Sequence, residues 1–274
     1  MNFKEVCFDI VMNMYQLDSI EDIHPAVRKR LNDELEIIKF KEYEDNFVAA
    51  QLLLRADDMR RFMSLGSTAA LFTAYLLGLS NTNPLPPHYY CENCGYIEFI
   101  EDSSVKNGLD LAASVCPHCG ESMHGDGHDL NYHEFFLSPF KMSFAVPAHY
   151  YYGGFLQNSF NTIQHNPFLA FNSDIEICPV FSVPEFGITF QPSSALTHLT
   201  ALIESTGTVC YNRGSYLLAS DRLYSDEFEK YKKISGISQT DAELAERFDI
   251  VLQLDFFRRS FPEYYEKIIE KEIF

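Results

Sequence analysis

The chain has 274 residues and is 46% hydrophobic, enough to bury a large core as one big domain or two smaller ones, which excludes a disordered chain. Twenty-one basic residues against thirty-nine acidic ones give a formal charge of −18 and a sequence pI near 4.8, a balance that disfavours non-specific contact with phosphate backbones. The longest nearly uncharged apolar run, Ala69 to Leu79, is too short to cross a bilayer.

In chain order, the opening stretch from Met1 to His24 carries acidic residues among its apolar ones and has no small-residue cleavage site, so it does not read as a signal peptide. A cytoplasmic protein is expected. Pro25 near a helix start, then Val27, Leu31, Leu35 and Ile38 at helical spacing, predict an amphipathic helix over 24–38. Residues 47–63 are again helix-like. Ser64-Leu-Gly-Ser-Thr-Ala-Ala-Leu71 then opens a second, nearly all-apolar helix with Ser67 placed to cap it. Asn83-Pro-Leu-Pro-Pro87 cannot be helical and forms a stiff connector.

From Phe135 to Phe190 the chain is rich in Phe, Tyr, Val and Ile and broken by Pro147, Gly153-Gly154, Pro167, Pro179 and Pro184, which predicts strands and turns. Beyond it, 194–205 reads as helix and 216–219 as strand. Thr240-Asp-Ala-Glu243 and Ser260-Phe-Pro-Glu263 match capping boxes before helices.

Seven cysteines are an odd number, and four of them sit in two close pairs, which in a reducing compartment favours metal over disulfides. Cys7, Cys178 and Cys210 read as ordinary buried thiols. Cys91-Glu-Asn-Cys94-Gly and Cys116-Pro-His-Cys119-Gly each put two thiols on a tight turn relieved by the following glycine. Cys91, Cys94, Cys116 and Cys119 are therefore expected to hold one structural Zn2+ in a ribbon. Four closed ligands leave no position for a catalytic water. His118, His124, His128 and His133 cluster nearby without the H-E-x-x-H spacing, and read as surface or turn histidines rather than a second site.

The run Asn83-Pro-Leu-Pro-Pro-His-Tyr-Tyr-Cys-Glu-Asn-Cys94, with Glu98-Phe99, Asn107-Gly-Leu-Asp-Leu111, Cys116-Pro-His-Cys-Gly120 and Asp126-Gly-His-Asp129, closely resembles the zinc-bearing palm segment of PolC-type DNA polymerase III. The weaker likeness outside it stays collinear. Arg28 to Leu35 looks like the helix leading into that palm, and Thr206-Gly207 with Gly214-Ser-Tyr-Leu-Leu218 resembles its later glycine-bearing strand. Leu252-Gln-Leu-Asp255 resembles the strand bearing the family's third metal-binding carboxylate. The resemblance implies an α+β fold: a nucleotidyltransferase-like palm with a mixed β-sheet, flanking helices and an inserted zinc ribbon. It divides the chain into an N-terminal helical part (1–82), the ribbon (83–130), and a sheet with C-terminal helices (131–274).

The resemblance also shows where this chain departs. Polymerisation needs two Mg2+ ions held by clustered carboxylates. The family supplies two of these as an Asp-x-Asp pair on one strand, soon after the segment matching Gly127-His-Asp129. Here Phe144 and Val146 stand in their places, and Glu134 is the one acidic residue between Leu130 and Ser173. Of the family's phosphate-cradling Gly/Ser loop the chain keeps Gly66-Ser67, which reads either as a remnant nucleotide-binding turn or as an ordinary helix cap. Asp255 is left as a solitary, vestigial carboxylate. The expectation is a catalytically inactive, zinc-stabilised binding or accessory module, linked to DNA replication, whose partner is protein rather than DNA or nucleotide. The alternative is an active nucleotidyltransferase with a rearranged two-metal Mg2+ site built from Asp174, Glu176, Asp249 or Asp255. Asp174-Ile-Glu176 has the alternation that puts two carboxylates on one strand face, and equally reads as a solvated edge strand.

Overall fold

A computed structural model describes residues 2–55, 62–102, 104–105, 107–148, 151–165 and 180–193. Helix α1 (Phe3–Met14) opens on a capping box between Asn2 and Glu5 and buries Phe3, Cys7, Phe8 and Val11. Helix α2 (Pro25–Phe40) begins as the sequence predicts, with Pro25 in its first turn. Its N-cap is His24, whose Nδ1 accepts from the Ala26 amide at 3.2 Å. Val27, Leu31, Leu35 and Ile38 form its buried stripe, and Glu34 lies buried among them.

Helix α3 (Glu44–Arg55) precedes strand β1 (Met63–Leu65). Met63, expected at the end of a helix, instead pairs with Ala145 in an antiparallel ladder that continues through Ser64 and Leu65. This ladder buries Met63 and Ser64, so tertiary pairing overrides the helical pattern.

The predicted helix opening over 64–71 also resolves differently. Ser64 and Leu65 complete β1, Gly66 turns the chain at φ +70°, and Gly66–Ala70 forms a 3₁₀ turn. The buried helix α4 (Phe72–Leu76) follows, with no side-chain cap from its N-cap position. Ser67 does not cap it. The carboxylate of Glu34 does, accepting from the amides of Phe72 at 2.9 Å and Thr73 at 2.8 Å.

The described strands form two sheets. A mixed sheet runs in the order β1-β6-β8-β7, where β6 (Met142–Pro147) and β8 (Ile188–Ser193) are parallel and β7 (Phe181–Val183) is antiparallel to β8. An antiparallel sheet runs β3-β2-β5-β4, from β2 (His88–Tyr90), β3 (Ile97–Phe99), β4 (Ser114–Val115) and β5 (Ser122–Asp126). The expected mixed α+β architecture is present.

Between the sheets' strands lies a short helix, α5 (His133–Phe136). The segment expected to be wholly strand and turn also contains a π-helical turn at Tyr151–Phe155 running into helix α6 (Leu156–His165). Gly153-Gly154 therefore sits inside a helical turn rather than breaking strands. Tyr151 and Phe155, four apart and both fully buried, pack their rings 5.9 Å from centroid to centroid. The Phe181 amide donates to the Tyr151 hydroxyl at 2.6 Å and ties this turn to β7.

The core joins α1 to α4 with the mixed sheet. Cys7 is fully buried, as its reading as a core thiol predicts. Cys178, Cys210, Asp174, Glu176, Asp249, Asp255 and the elements expected beyond 193 lie outside the described residues. Among the described residues, no helix is long and apolar enough to cross a membrane.

Candidate metal centre

The connector Asn83-Pro-Leu-Pro-Pro87 leads into the antiparallel sheet as a non-helical, largely buried strap. Its prolines donate nothing, but the strap's carbonyls accept: Asn83 from the His128 amide at 3.1 Å, Leu85 from Asp129 at 2.9 Å and Pro84 from Leu130 at 3.0 Å. The Asn83 side chain donates to Asp126 Oδ2 at 2.7 Å and fixes the base of the ribbon.

The two knuckles repeat one geometry. In the first, the Cys91 amide donates to Tyr96 O and the Gly95 amide to Cys91 O, both at 2.9 Å. In the second, Cys116 donates to Glu121 O at 2.7 Å and Gly120 to Cys116 O at 2.9 Å. Gly95 and Gly120 close the turns at φ +69° and +79°, a conformation that side chains with a Cβ resist.

These turns bring together the four cysteines singled out from the sequence. The sulfurs of Cys91, Cys94, Cys116 and Cys119 all lie within 4.8 Å of one another, and the cross-knuckle pairs Cys91–Cys119 and Cys94–Cys116 are 3.5 Å apart. A tetrahedron of thiolates about 2.3 Å from a central ion has edges of about 3.8 Å, so the group could hold a metal ion.

The thiols titrate unequally. The side chain of Asn93, helped by the Glu121 amide, holds Cys119 down at about 6. Burial pushes Cys91 above the ordinary thiol value. At Cys94 the Tyr96 amide favours the thiolate, but burial and the neighbouring sulfurs outweigh it and push the thiol up to about 12. Adjacent sulfurs oppose one another's ionisation, so four thiolates together need a cation among them.

His118 and His133 are exposed, and the His118 ring packs at a tilt against that of Tyr96, 4.4 Å between centroids. His128 donates from Nδ1 to Asn83 O at 3.1 Å, and His124 sits on β5 opposite Tyr90. Among the described residues, none of these histidines joins a group of potential ligands. Sequence reading did not single out His88, which is buried on β2 and donates from Nδ1 to Pro86 O at 2.7 Å. Its position after the proline connector was the available signal.

The family model of the bacterial DNA polymerase III alpha NTPase domain matches residues 2–145, just over half of the chain. The chain belongs to that family. PolC-type DNA polymerase III of Lacticaseibacillus paracasei is 34% identical over 131 residues, 46% of this chain and 9% of the relative. The polC-type DNA polymerase III of Streptococcus pyogenes serotype M3 is 36% identical over 108 residues, 39% of this chain and 7% of that protein. The chain thus spans less than a tenth of these relatives' length. The family match ends on β6, the strand that carries Phe144 and Val146.

Proposed function

We propose that this member of the polymerase III family is a catalytically inactive, zinc-stabilised palm, acting in the cytoplasm as a binding or accessory module in DNA replication. One observation carries the reading. Phe144 and Val146, which the resemblance aligns with the family's paired aspartates, are fully buried on β6. The Phe144 ring packs 5.6 Å from Phe62 and 5.3 Å from Phe190. A strand position closed in by aromatic rings offers no oxygen to a divalent cation.

The amides at the start of α4 support the same conclusion, since those of Phe72 and Thr73 are committed to Glu34 rather than open to a triphosphate. Gly66-Ser67 then serves as the turn between β1 and the 3₁₀ segment. The mixed sheet with flanking helices is consistent with a nucleotidyltransferase-like palm, divided into 1–82, the ribbon at 83–130, and 131–274.

Zinc is the ion we assign to the cysteine site, because four soft thiolates in a closed tetrahedron suit it and leave no open position. The ion would stabilise the ribbon, with Cys91, Cys94, Cys116 and Cys119 as its ligands. A charge of −18 opposes a phosphate backbone at long range, which supports a protein partner over DNA.

The test has two readouts on the full chain. Elemental analysis should return about one zinc per chain, lost in Cys116→Ser. A magnesium-dependent nucleotide incorporation assay on a primed template should give none, and titration with magnesium and a deoxynucleoside triphosphate should give no heat. Incorporation abolished by Asp255→Ala or Asp174→Ala would overturn the inactive reading in favour of a rearranged two-metal site.

A further inference from the structure

The two knuckles share a backbone geometry but not an environment. An ideal Cβ on Gly120 meets nothing within 4 Å, whereas one on Gly95 would lie 1.6 Å from the Tyr15 carbonyl oxygen. The first knuckle is thus pressed against the end of α1, whereas the second turns its glycine to open space.

Three further contacts bind that end of α1 to the ribbon. The hydroxyl of Tyr90, one residue before Cys91, donates to Met14 O at 2.8 Å, supplying a partner to one of the orphan carbonyls of the last helical turn. The Tyr15 and Tyr90 rings meet edge-on at 5.5 Å. The side-chain amide of Gln16 donates to Glu92 O, inside the first knuckle, at 2.6 Å.

Gln16 makes this last contact from a strained position. It ends α1 at φ +52°, where helices usually place glycine or asparagine, while the Leu17 amide reaches back to Met12 O at 2.9 Å. A non-glycine residue held in the left-handed region persists when its surroundings demand it. The backbone cap sets this conformation, as it does for Glu42 at the end of α2, and the Gln16 side chain adds the contact with the knuckle carbonyl, which a glycine at the same place could not make.

The knuckle itself is a short turn whose backbone is closed by two hydrogen bonds, Cys91 N–H to Tyr96 O and Gly95 N–H to Cys91 O. Turns of this kind take their shape from the ion their thiolates share. Glu92 O and the Gly95 backbone face α1 from a turn whose two sulfurs lie within 4.8 Å of those of Cys116 and Cys119.

We infer that metal occupancy of the ribbon and docking of the last turn of α1 form one coupled equilibrium, with Gln16 as the link between them. The inference rests on the four cysteines being a metal centre, as proposed above. The far end of α1 is anchored separately by its capping box and by Phe3, whose ring lies 5.8 Å from that of Phe47. Loss of the ion therefore loosens the segment from Met14 to Leu17 and leaves in place the earlier part of α1, where Val11 is buried in the main core. Coupling is reciprocal: if the ion holds this turn, the turn holds the ion.

The experiment compares hydrogen exchange in the full zinc-loaded chain before and after EDTA, with zinc quantified in the same samples. The amides of Tyr15, Gln16 and Leu17 should exchange at least about tenfold faster once zinc is removed, while those of α2 from Leu31 to Ile38 stay protected. Gln16→Gly, which suits the backbone and deletes the side-chain link, should retain zinc about three- to tenfold less well in equilibrium competition with a chelator, although no ligand is touched. A protein purified without metal overturns the metal centre and this inference with it. Bound zinc whose removal leaves the end of α1 equally protected overturns the coupling alone. So does α2 losing protection together with α1, or a Gln16→Gly variant that holds zinc as the parent does.

Discussion

Arg30 and Glu34, one turn apart on α2, form an ion pair at 2.6 Å that is sealed into the protein, with the Glu34 carboxylate fully buried. Neither charge serves the other alone. Glu34 caps α4 through the Phe72 and Thr73 amides, while Arg30 reaches Leu130 O at 3.1 Å and Ala70 O at 2.5 Å and lies over the Tyr132 ring at 4.5 Å. The pair thus joins α2 to the helix after β1 and to the chain leaving the ribbon. Glu34→Ala strands a guanidinium and two helix-end amides, and should cost about 3–5 kcal/mol in urea unfolding. Arg30→Ala should cost a similar amount, and the double variant less than the sum, because each single change leaves the other charge unpaired.

His88 should set an acid limit on stability. Burial lowers its proton affinity, against which the Asp126 carboxylate and the Pro86 carbonyl push upward, while His128 and His24 add to the lowering. His24 is lowered as well, by burial, and its Nδ1 must stay unprotonated to cap α2. Below the ordinary histidine value of 6.5, the unfolded chain takes up protons that the folded chain refuses. The stability present above that value is therefore lost as pH falls. Urea midpoints should drop between about pH 6.5 and 5, and His88→Gln should flatten part of that slope. A slope identical to the parent's would assign the acid limit elsewhere.

Gly95 and Gly120 make a matched comparison, since both close a knuckle at positive φ. Gly120→Ala should lose only the backbone term, about 1–2 kcal/mol, because its Cβ enters open space. Gly95→Ala must in addition push Tyr15 and the end of α1 away, and should cost clearly more in thermal unfolding of the zinc-loaded protein. Equal losses would mean that the contact with α1 is slack.

The contrast between readable and unreadable parts of this molecule follows the range of the interactions involved. Both knuckles, α2 from Pro25 and the proline strap were legible because local chemistry decides them: two thiols per turn, a fixed φ, a missing donor. Met63 and Ser67 misled because their roles are set across the chain, by Ala145 opposite Met63 and by Glu34, far upstream, taking the cap that Ser67 was expected to provide. Tyr151 and Phe155 read as strand by residue type, yet their spacing of four also fits a helix, and packing beside Phe181 and Phe190 selects it. At the metal centre the ligands were visible in the sequence. The docking of the first knuckle on Gln16 was not, because a glutamine in a left-handed turn leaves no pattern.

Restoring aspartates to β6 asks whether the strand is still a disguised metal platform. Phe144→Ala should cost about 3–5 kcal/mol for the cavity left between Phe62 and Phe190. If β6 has become core, Phe144→Asp with Val146→Asp must bury two carboxylates among aromatic rings, a heavier penalty than the cavity, and magnesium should not rescue the fold. The doubly substituted chain should be recovered unfolded or aggregated at any magnesium concentration, by circular dichroism and size exclusion. A folded double variant stabilised by magnesium would show that the platform survives beneath the apolar side chains, and the case for an inactive palm would fall with it.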